Sequence, residues 1–233
     1  MSEVGTEGGT GSAREARVLI WDLPLRLFHW ALAIAVSVCL YTGLTGGFEA
    51  MDWHQRSGFV ALGLVLFRVA WGFAGTRHAR FANFLRGPGP VLAWARAALR
   101  GNPPEEAGHN ALAGWTIVAL LLAVAVQGTT GLFASDDLFV EGPLVHLVED
   151  ETVSFATSVH AWGPWTVGGL VGLHLAALLV HRLWFGERIV LPMVTGWRRD
   201  VPPAAGVDGQ RLVAGLFLAA ASAGIVWWVV TRL

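Results

Sequence analysis

The sequence contains no lysine and few charged residues of any kind. Asp, Glu, Lys and Arg together make up only 14% of the 233 residues, whereas a soluble domain has about 25%. The mean hydropathy is correspondingly high, at +0.54. This shortage of charge argues against a soluble domain, because so much apolar surface needs a lipid bilayer to cover it.

Cysteine is almost absent as well. Cys39 is the only one, and it lies within an apolar run. A single cysteine cannot form an intrachain disulfide, supply the thiolates of an iron–sulfur cluster, or complete the C-x-x-C-H motif that attaches a c-type haem. All three are therefore excluded within this chain. An internal repeat is not detectable either.

Five apolar stretches are long enough to cross a bilayer, which takes about 20 residues. In hydrocarbon, every backbone polar group must be satisfied within its own segment, so we expect all five to be α-helices. The fourth is over-long and carries Pro164, so we expect it to be tilted, kinked or extended beyond the membrane. The stretches are residues 24–45, 53–75, 111–134, 155–184 and 212–230.

The distribution of arginine predicts the orientation of the chain. Cationic residues in short loops favour the cytoplasmic side, and the connecting segments 46–52 and 135–154 contain no arginine. We therefore expect a cytoplasmic N-terminus and, after five crossings, a periplasmic C-terminus. The arginines of the expected cytoplasmic side are Arg14, Arg17, Arg26, Arg77, Arg80, Arg86, Arg96, Arg100, Arg182, Arg188, Arg198, Arg199 and Arg211.

The chain divides into three predicted regions. Residues 1–17 are polar and rich in glycine, and we expect a disordered cytoplasmic tail. No small-x-small site closes the first apolar stretch, so we do not expect a cleaved signal peptide. Residues 18–199 form the predicted transmembrane domain, and residues 200–233 form a linker and the fifth helix.

The two segments without arginine are acidic, which leaves two interpretations open. Their carboxylates are either simply solvated, or they form a docking field for a basic partner, since uncompensated charge steers association. The residues are Glu49, Asp52, Asp136, Asp137, Glu141, Glu149, Asp150 and Glu151.

Four histidines lie within the predicted spans, where an ionisable residue is costly and marks a functional position by default. His160 and His174 are fourteen residues apart on the fourth helix. At about 3.6 residues per turn they face the same side, about 21 Å apart along the axis. His29 on the first helix comes level with His174. His54 on the second helix comes level with His160.

Two imidazoles that face each other across a helical bundle can be the axial ligands of a b-type haem. The two matched pairs therefore predict two haem b groups, stacked along the membrane normal. The plainer alternative is that these histidines form interhelical hydrogen bonds. A proton- or metal-coupled transporter is the alternative function, because its relays also use intramembrane His and Arg. The inverted repeats and broken helices of such transporters are not evident in the sequence.

Arg68 points independently to the inner pair. It lies fourteen residues after His54, so it shares a face with His54 at the depth of His29 and His174. An arginine inside the membrane is costly unless it meets an anion, and a haem propionate would supply one. Glycines that would let a flat macrocycle approach the backbone are Gly58, Gly168, Gly169 and Gly172.

The other four histidines are weaker candidates. We expect His181 to extend towards the inner interface and His146 to be solvated in the outer loop. His78 and His109 flank the inner ends of the second and third helices. A haem propionate or a quinone is a candidate ligand for either of them.

Five segments of the region 18–199 carry a recognisable pattern: VLIWDLPLRLFHW, RVAWGFAGTRHARFANFLRGP, GHNALAGW, QGTTGLFASDD and LPMVTGWRR. They resemble the bacterial cytochrome b561 family, which includes the b-type subunits of nickel–iron hydrogenases. Arg68 occupies a family position, and the fifth helix is a departure from the smaller, four-helix members. The haem ligands that the resemblance implies are His29, His54, His160 and His174.

The expected fold class is an all-α membrane protein: a four-helix transmembrane haem-binding bundle plus a fifth C-terminal transmembrane helix. The resemblance implies electron transfer across the bacterial inner membrane through two haem b groups, with a quinone as a further candidate cofactor. Bis-histidine ligation leaves no open iron position, which favours electron transfer over ligand chemistry. Superoxide-to-quinone chemistry at an exposed haem edge stays open.

The expected partners follow from this function. They are the lipid bilayer, the quinone pool, and either a periplasmic cytochrome c or a subunit of a hydrogenase or dehydrogenase. The acidic outer segments favour a basic cytochrome c. No nucleic-acid partner is expected.

Overall fold

The computed structural model describes residues 17–104, 106–199, 201–207 and 209–233. The predicted tail, residues 1–17, lies outside the described residues except for Arg17. Within the described ranges, five long helices account for most of the chain. They are α1 (Leu23–Thr45), α2 (Phe48–Ala74), α5 (Ala111–Gly131), α6 (Asp150–Trp184) and α8 (Leu212–Arg232).

All five predicted spans are confirmed as helices that are long and apolar enough to cross a membrane. Two of the predicted starts are wrong, because α2 begins at Phe48 and α6 at Asp150, each five residues before the predicted start. The first turns of these helices are acidic, with Glu49 in α2 and Glu151 in α6. The helix dipole favours negative charge at that end, but hydropathy alone assigned these polar turns to loops.

Shorter elements lie between the long helices. The antiparallel pair β1–β2 places Val18 opposite Arg198 and Leu19 opposite Trp197. This two-residue ladder and an isolated antiparallel bridge between Ser135 and Glu141 are small departures from the all-α prediction. The short elements are β1 (Val18–Leu19), α3 (Phe81–Phe84), α4 (Pro88–Leu99), α7 (Val190–Thr195) and β2 (Trp197–Arg198).

The helix α2 is central to the bundle. It packs extensively against α1, α5 and α8, whereas the main partner of α6 is α5. Within the described parts of the chain, α6 makes no comparably extensive contact with α1 or α2. A gap therefore remains between α6 on one side and the α1–α2 pair on the other.

The fifth helix, α8, packs closely on the first two. A Cβ atom on Gly215 would lie 2.7 Å from Cγ of Pro24, and one on Gly63 would lie 3.7 Å from Val226. Small residues of this kind let helix backbones approach each other within a membrane. The predicted fifth span is thus a packed part of the bundle.

The two ends of the bundle differ in charge and in structure. At the arginine-rich end, the backbone N–H groups of Ile20 and Trp21 donate to the Gly196 carbonyl at 2.9 and 3.2 Å. At the acidic end, the Gln55 amide donates to the Glu141 carbonyl at 2.9 Å. The arginine-rich end comprises the described residues within 17–22, 75–110 and 185–211, and the acidic end comprises residues 46–52 and 132–151.

Asp22 connects α1 to α2 at the arginine-rich end. Its side chain is completely buried, and it caps α1 by accepting the Leu25 backbone N–H at 2.8 Å. The indole N–H of Trp71 donates to the same carboxylate at 3.2 Å, and the Thr76 hydroxyl also donates to it. Three donors therefore compensate for the burial of this charge.

Replacing Asp22 with alanine should destabilise the bundle. The substitution leaves the Trp71 indole and the Thr76 hydroxyl buried without acceptors, and it removes a helix cap. We expect a loss on the order of 3 kcal/mol, measured as a lower thermal unfolding temperature in detergent. Asp136→Ala is the control, because that carboxylate also accepts backbone N–H bonds but is exposed. Equal unfolding temperatures for the two variants would contradict this role.

Candidate functional site

The predicted outer pair, His54 and His160, comes together near the acidic end. The ring centroids lie 5.9 Å apart and the ring planes are perpendicular, at 89°. Because a metal–imidazole bond is about 2.0 Å long, rings this close can share a single ion. His54 lies on α2 and His160 on α6, so the pair spans the gap between these helices.

Both imidazoles of the outer pair turn Nδ1 towards a backbone carbonyl. His54 Nδ1 donates to the Cys39 carbonyl and His160 Nδ1 to the Gln127 carbonyl, each at 3.0 Å. A carbonyl oxygen only accepts, so Nδ1 carries the proton and Nε2 keeps its lone pair. Histidines that bind metals are commonly held in this way by their other nitrogen.

A cavity of about 440 Å³ adjoins the outer pair, lined by α1, α2, α5 and α6. Gly43 and Gly131 make room for the rings, because a Cβ on either would lie 2.9 Å from Cε1 of His54 or His160 respectively. A Cβ on Gly58, which lines the same cavity, would meet no atom within 4 Å. The outer pair therefore has open space beside it, as a bound macrocycle requires.

The predicted inner pair consists of His29 on α1 and His174 on α6, both in the part of its helix nearer the arginine-rich end. The Nδ1 atom of His29 is buried and has no hydrogen-bond partner. The backbone near His174 is open, since a Cβ on Gly168, Gly169 or Gly172 would meet no atom within 4 Å. A buried polar atom without a partner calls for an additional group at this position.

Arg68 is buried on α2, with a relative exposure of 2%. Its guanidinium carbon lies 4.8 Å from the ring centroid of Phe81 and 5.7 Å from that of Phe84. These aromatic faces stabilise the cation, but Nη1 is buried without a hydrogen-bond acceptor. Nη1 can therefore donate a hydrogen bond to an anion, as binding of the predicted haem propionate requires.

His109 belongs to the same inner cluster. It packs between Trp21 and Phe84, with ring centroids at 4.5 and 5.0 Å. Burial, followed by the positive charge of Arg68, lowers the pKa of His109 to about 3. The imidazole is therefore neutral near pH 7, and its Nδ1 has no hydrogen-bond partner.

The remaining histidines make local contacts. His78 Nε2 donates to the Ala205 carbonyl at 2.7 Å, and burial lowers the pKa of His78. His181 Nδ1 lies 2.7 Å from a carboxylate oxygen of Glu187. His146 is exposed, but it is not only solvated as expected, because its ring donates to the Leu233 carbonyl at 2.7 Å. These contacts give the rings of His78 and His181 hydrogen-bond partners within the chain, so neither ring needs a ligand.

More of the carboxylates at the acidic end have a nearby partner than the sequence pattern indicated. Asp52 forms an exposed ion pair with Arg56 at 2.8 Å, so the expectation of carboxylates without a nearby cation is wrong at this position. The physical reason is that Asp52 lies within α2, one turn before Arg56. The backbone N–H of Val140, with those of neighbouring residues, donates to Asp136 and lowers its pKa. Several of the carboxylates thus have local structural partners.

These features define a helical, multi-pass membrane protein with a pair of histidines that face each other across its bundle. The chain belongs to the prokaryotic cytochrome b561 family, whose model matches residues 20–196. Family membership confirms the resemblance that the motifs indicated. It identifies the protein as a membrane cytochrome with haem b as its cofactor, and it favours electron transfer over the transporter alternative.

Named relatives are similar to the chain over most of their length. The chain is 26% identical to the "Probable Ni/Fe-hydrogenase B-type cytochrome subunit" of Azotobacter vinelandii, across 84% of this chain and 95% of that protein. It is 25% identical to the protein of the same name from Cupriavidus necator, across 82% and 91%. The "Probable Ni/Fe-hydrogenase 1 B-type cytochrome subunit" of Escherichia coli K12 is 22% identical, across 77% and 89%.

Sequence reasoning missed Gln127 at the outer pair and Asp22 near the inner one. Both lie within the motif segments, but neither shares the fourteen-residue spacing that singled out the histidines and Arg68. A polar residue in an apolar run was the available signal for Gln127. The contacts of Asp22 depend on residues about fifty positions away, which no local pattern indicates.

Proposed function

We propose that the protein carries electrons across the membrane through two haem b groups, between the quinone pool and a redox partner at the acidic end. The observation that supports this most strongly is the outer pair, where two imidazoles direct both Nδ1 protons to carbonyls, so that both Nε2 atoms keep a lone pair. When bound, a haem supplies reversible one-electron oxidation and reduction of its iron.

In this proposal the histidines act as axial ligands. His54 and His160 would hold the outer haem, and His29 and His174 would hold the inner one. The unpaired Nη1 of Arg68 would bind a propionate of the inner haem. A haem held by two imidazoles would serve electron transfer rather than ligand chemistry.

The separation of the two sites suits transfer across a bilayer. His160 and His174 lie on one continuous helix, α6, and are about 21 Å apart along its axis. The hydrocarbon core of a bilayer is about 30 Å thick. Two sites at this spacing place one redox centre in each half of the membrane.

We propose that the arginine-rich end faces the cytoplasm. Arg56 and Arg232 are the only arginines of the described chain in the acidic half, and each lies on a helix rather than in a loop. The positive-inside rule then orients the loops with the acidic end in the periplasm. The His146 ring donates to the Leu233 carbonyl at 2.7 Å, so the end of α8 lies on that same side.

The experiment that tests the proposed function uses the purified chain in lipid vesicles. A dithionite-reduced spectrum should have the α-band of haem b, and its intensity should correspond to two haems per chain. A lipid-soluble quinol added outside should then reduce ferricyanide trapped inside. Vesicles that hold two haems per chain but pass no electrons to the trapped ferricyanide would contradict transmembrane transfer.

We propose a hydrogenase-type or dehydrogenase-type subunit as the partner at the acidic end. The support is that the relatives bear the name of Ni/Fe-hydrogenase cytochrome subunits over most of their length. A basic periplasmic cytochrome c is the second candidate, favoured by the acidic residues. The Asp52–Arg56 ion pair reduces the negative electrostatic field that would attract a basic cytochrome c.

Reversing the charges at the start of α6 distinguishes between these two candidate partners. Changing Glu149, Asp150 and Glu151 to arginine should slow electron exchange with a basic cytochrome c several-fold at low salt, because steering acts on the association rate. Stopped-flow oxidation of the reduced protein at low and high ionic strength measures the effect. The triple glutamine variant controls for the loss of favourable charge at the helix N-terminus. Rates that depend on neither salt nor the reversal would exclude steering and favour a stably bound subunit.

A further inference from the structure

The haem ligand proposed on α6 lies one turn before a proline. Pro164 is inside the helix, and proline has no backbone N–H to donate to the carbonyl four residues earlier. That carbonyl belongs to His160. Inside a membrane, no water is available to replace the missing donor. The sequence of α6 therefore removes a hydrogen bond from the backbone of the ligand itself.

Gln127 on α5 supplies the missing donor. Its side-chain Nε2 donates to the His160 carbonyl at 3.1 Å. In the opposite direction, the His160 ring donates from Nδ1 to the backbone carbonyl of Gln127 at 3.0 Å. The Gln127 amide nitrogen also lies 3.3 Å from His160 Nε2. One residue of α5 thus holds both the backbone and the ring of His160.

Gly163 makes this arrangement possible. A Cβ atom at position 163 would lie 1.3 Å from Oε1 of Gln127, so any side chain there must displace the amide. Because Oε1 is the end of a flexible side chain, the amide can move aside, but it then leaves the His160 carbonyl. The glycine and the proline that follows it therefore act on the same hydrogen bond.

We propose that Gln127 is a positioning residue for His160. It replaces the backbone donor that Pro164 removes, and so fixes the height and rotation of the imidazole at the outer site. The inference rests on the proposed role of His160 as a haem ligand. A hydrogen bond elsewhere between α5 and α6 would join the helices equally well. The hydrogen bonds of Gln127 act on both the carbonyl and the ring of the ligand residue.

The test compares five variants of the full chain in detergent, one of which, Gly163→Ala, displaces the Gln127 amide without removing it. Gln127→Leu removes the amide but keeps the backbone carbonyl that His160 Nδ1 uses. Pro164→Ala restores a backbone N–H for the His160 carbonyl, alone and combined with Gln127→Leu. Asn83→Leu is the matched control, because the Asn83 amide also donates to a backbone carbonyl, that of Arg77 at 2.7 Å, but at the arginine-rich end, away from His160.

The measurements are haem loss to excess apomyoglobin, the midpoint potential of each haem, and the low-temperature α-band. Gln127→Leu should speed the loss of one haem about tenfold, equivalent to about 1.4 kcal/mol, and should shift the potential and α-band of that haem only. Gly163→Ala should have the same effect. The Gln127→Leu/Pro164→Ala double variant should return towards Pro164→Ala alone, and Asn83→Leu should match the unmodified chain.

Two results would overturn the inference. The first is a Gln127→Leu variant that matches the unmodified chain in all three measurements. The second is a Gln127→Leu defect that Pro164→Ala does not reduce, since the proline would then be unrelated to it. His160→Ala separates this failure from that of the proposed function. If His160→Ala retains two haems, the ligand assignment is wrong, whereas if it loses one, only the positioning role of Gln127 is rejected.

Discussion

Replacing His160 with alanine should remove one of two haems and leave the other in place. Without the imidazole, the outer site loses one of its two axial ligands, and His54 alone cannot complete bis-histidine ligation. Haem per chain, measured by the pyridine haemochrome assay, should fall by about half. His146→Ala is the matched control, because that imidazole is exposed in the connecting segment of the acidic end and should leave the haem content unchanged.

Double variants test the pairing itself. Because His54 and His160 face each other, the His54→Ala/His160→Ala variant should lose no more haem than either single variant. The His29→Ala/His160→Ala variant should lose both haems, since it removes a ligand from each site. Additive losses within the outer pair, or two low-spin haems in His160→Ala, would show that the four histidines are paired differently.

Replacing Arg68 with leucine should lower the midpoint potential of the inner haem. A nearby cation favours the electron-rich state, and burial strengthens that effect because the local dielectric constant is low. We expect a decrease on the order of 50 mV in a redox titration, with the outer haem unchanged. The substitution also removes the donor for a propionate, which adds to the same shift.

Two further arginine variants control for this effect. Arg68→Lys keeps the charge and should retain most of the potential, although lysine lacks the planar fork of the guanidinium. Arg56→Leu removes an exposed arginine that is paired with Asp52 and should change neither potential. An inner potential that stays the same in Arg68→Leu, with both haems retained, would exclude an electrostatic role for this residue.

The membrane spans and the depth of the histidines could be predicted because both depend on local properties of the chain. A run of apolar residues specifies a spanning helix whatever surrounds it, since the backbone must satisfy itself in lipid. The helical repeat then relates residue number to depth, which is why His160 was paired with His54 before any contact was known. The outer pair meets as that reasoning predicted, whereas the inner pair stays a prediction.

The starts of α2 and α6 were predicted wrongly for a related reason. Glu49, Asp150 and Glu151 lie in the first turns of α2 and α6. Because these turns are charged, the apolar pattern begins only after the helix has begun. The helix N-terminus stabilises these carboxylates through its dipole. The same error made Asp52 look like an unpaired loop residue, whereas its position in α2 brings Arg56 within 2.8 Å.

The sequence by itself determined the class of protein, the spans and the set of histidines, because hydropathy and helical periodicity act along the chain. Only the tertiary structure decided which groups hold those histidines in place. Gln127 meets the carbonyl of His160, 33 residues further on, and Asp22 meets Trp71, 49 residues further on. Such pairs form because a buried polar group must find a partner wherever the packed helices bring one, and the packing of α5 on α6 and of α1 on α2 is set by the whole bundle.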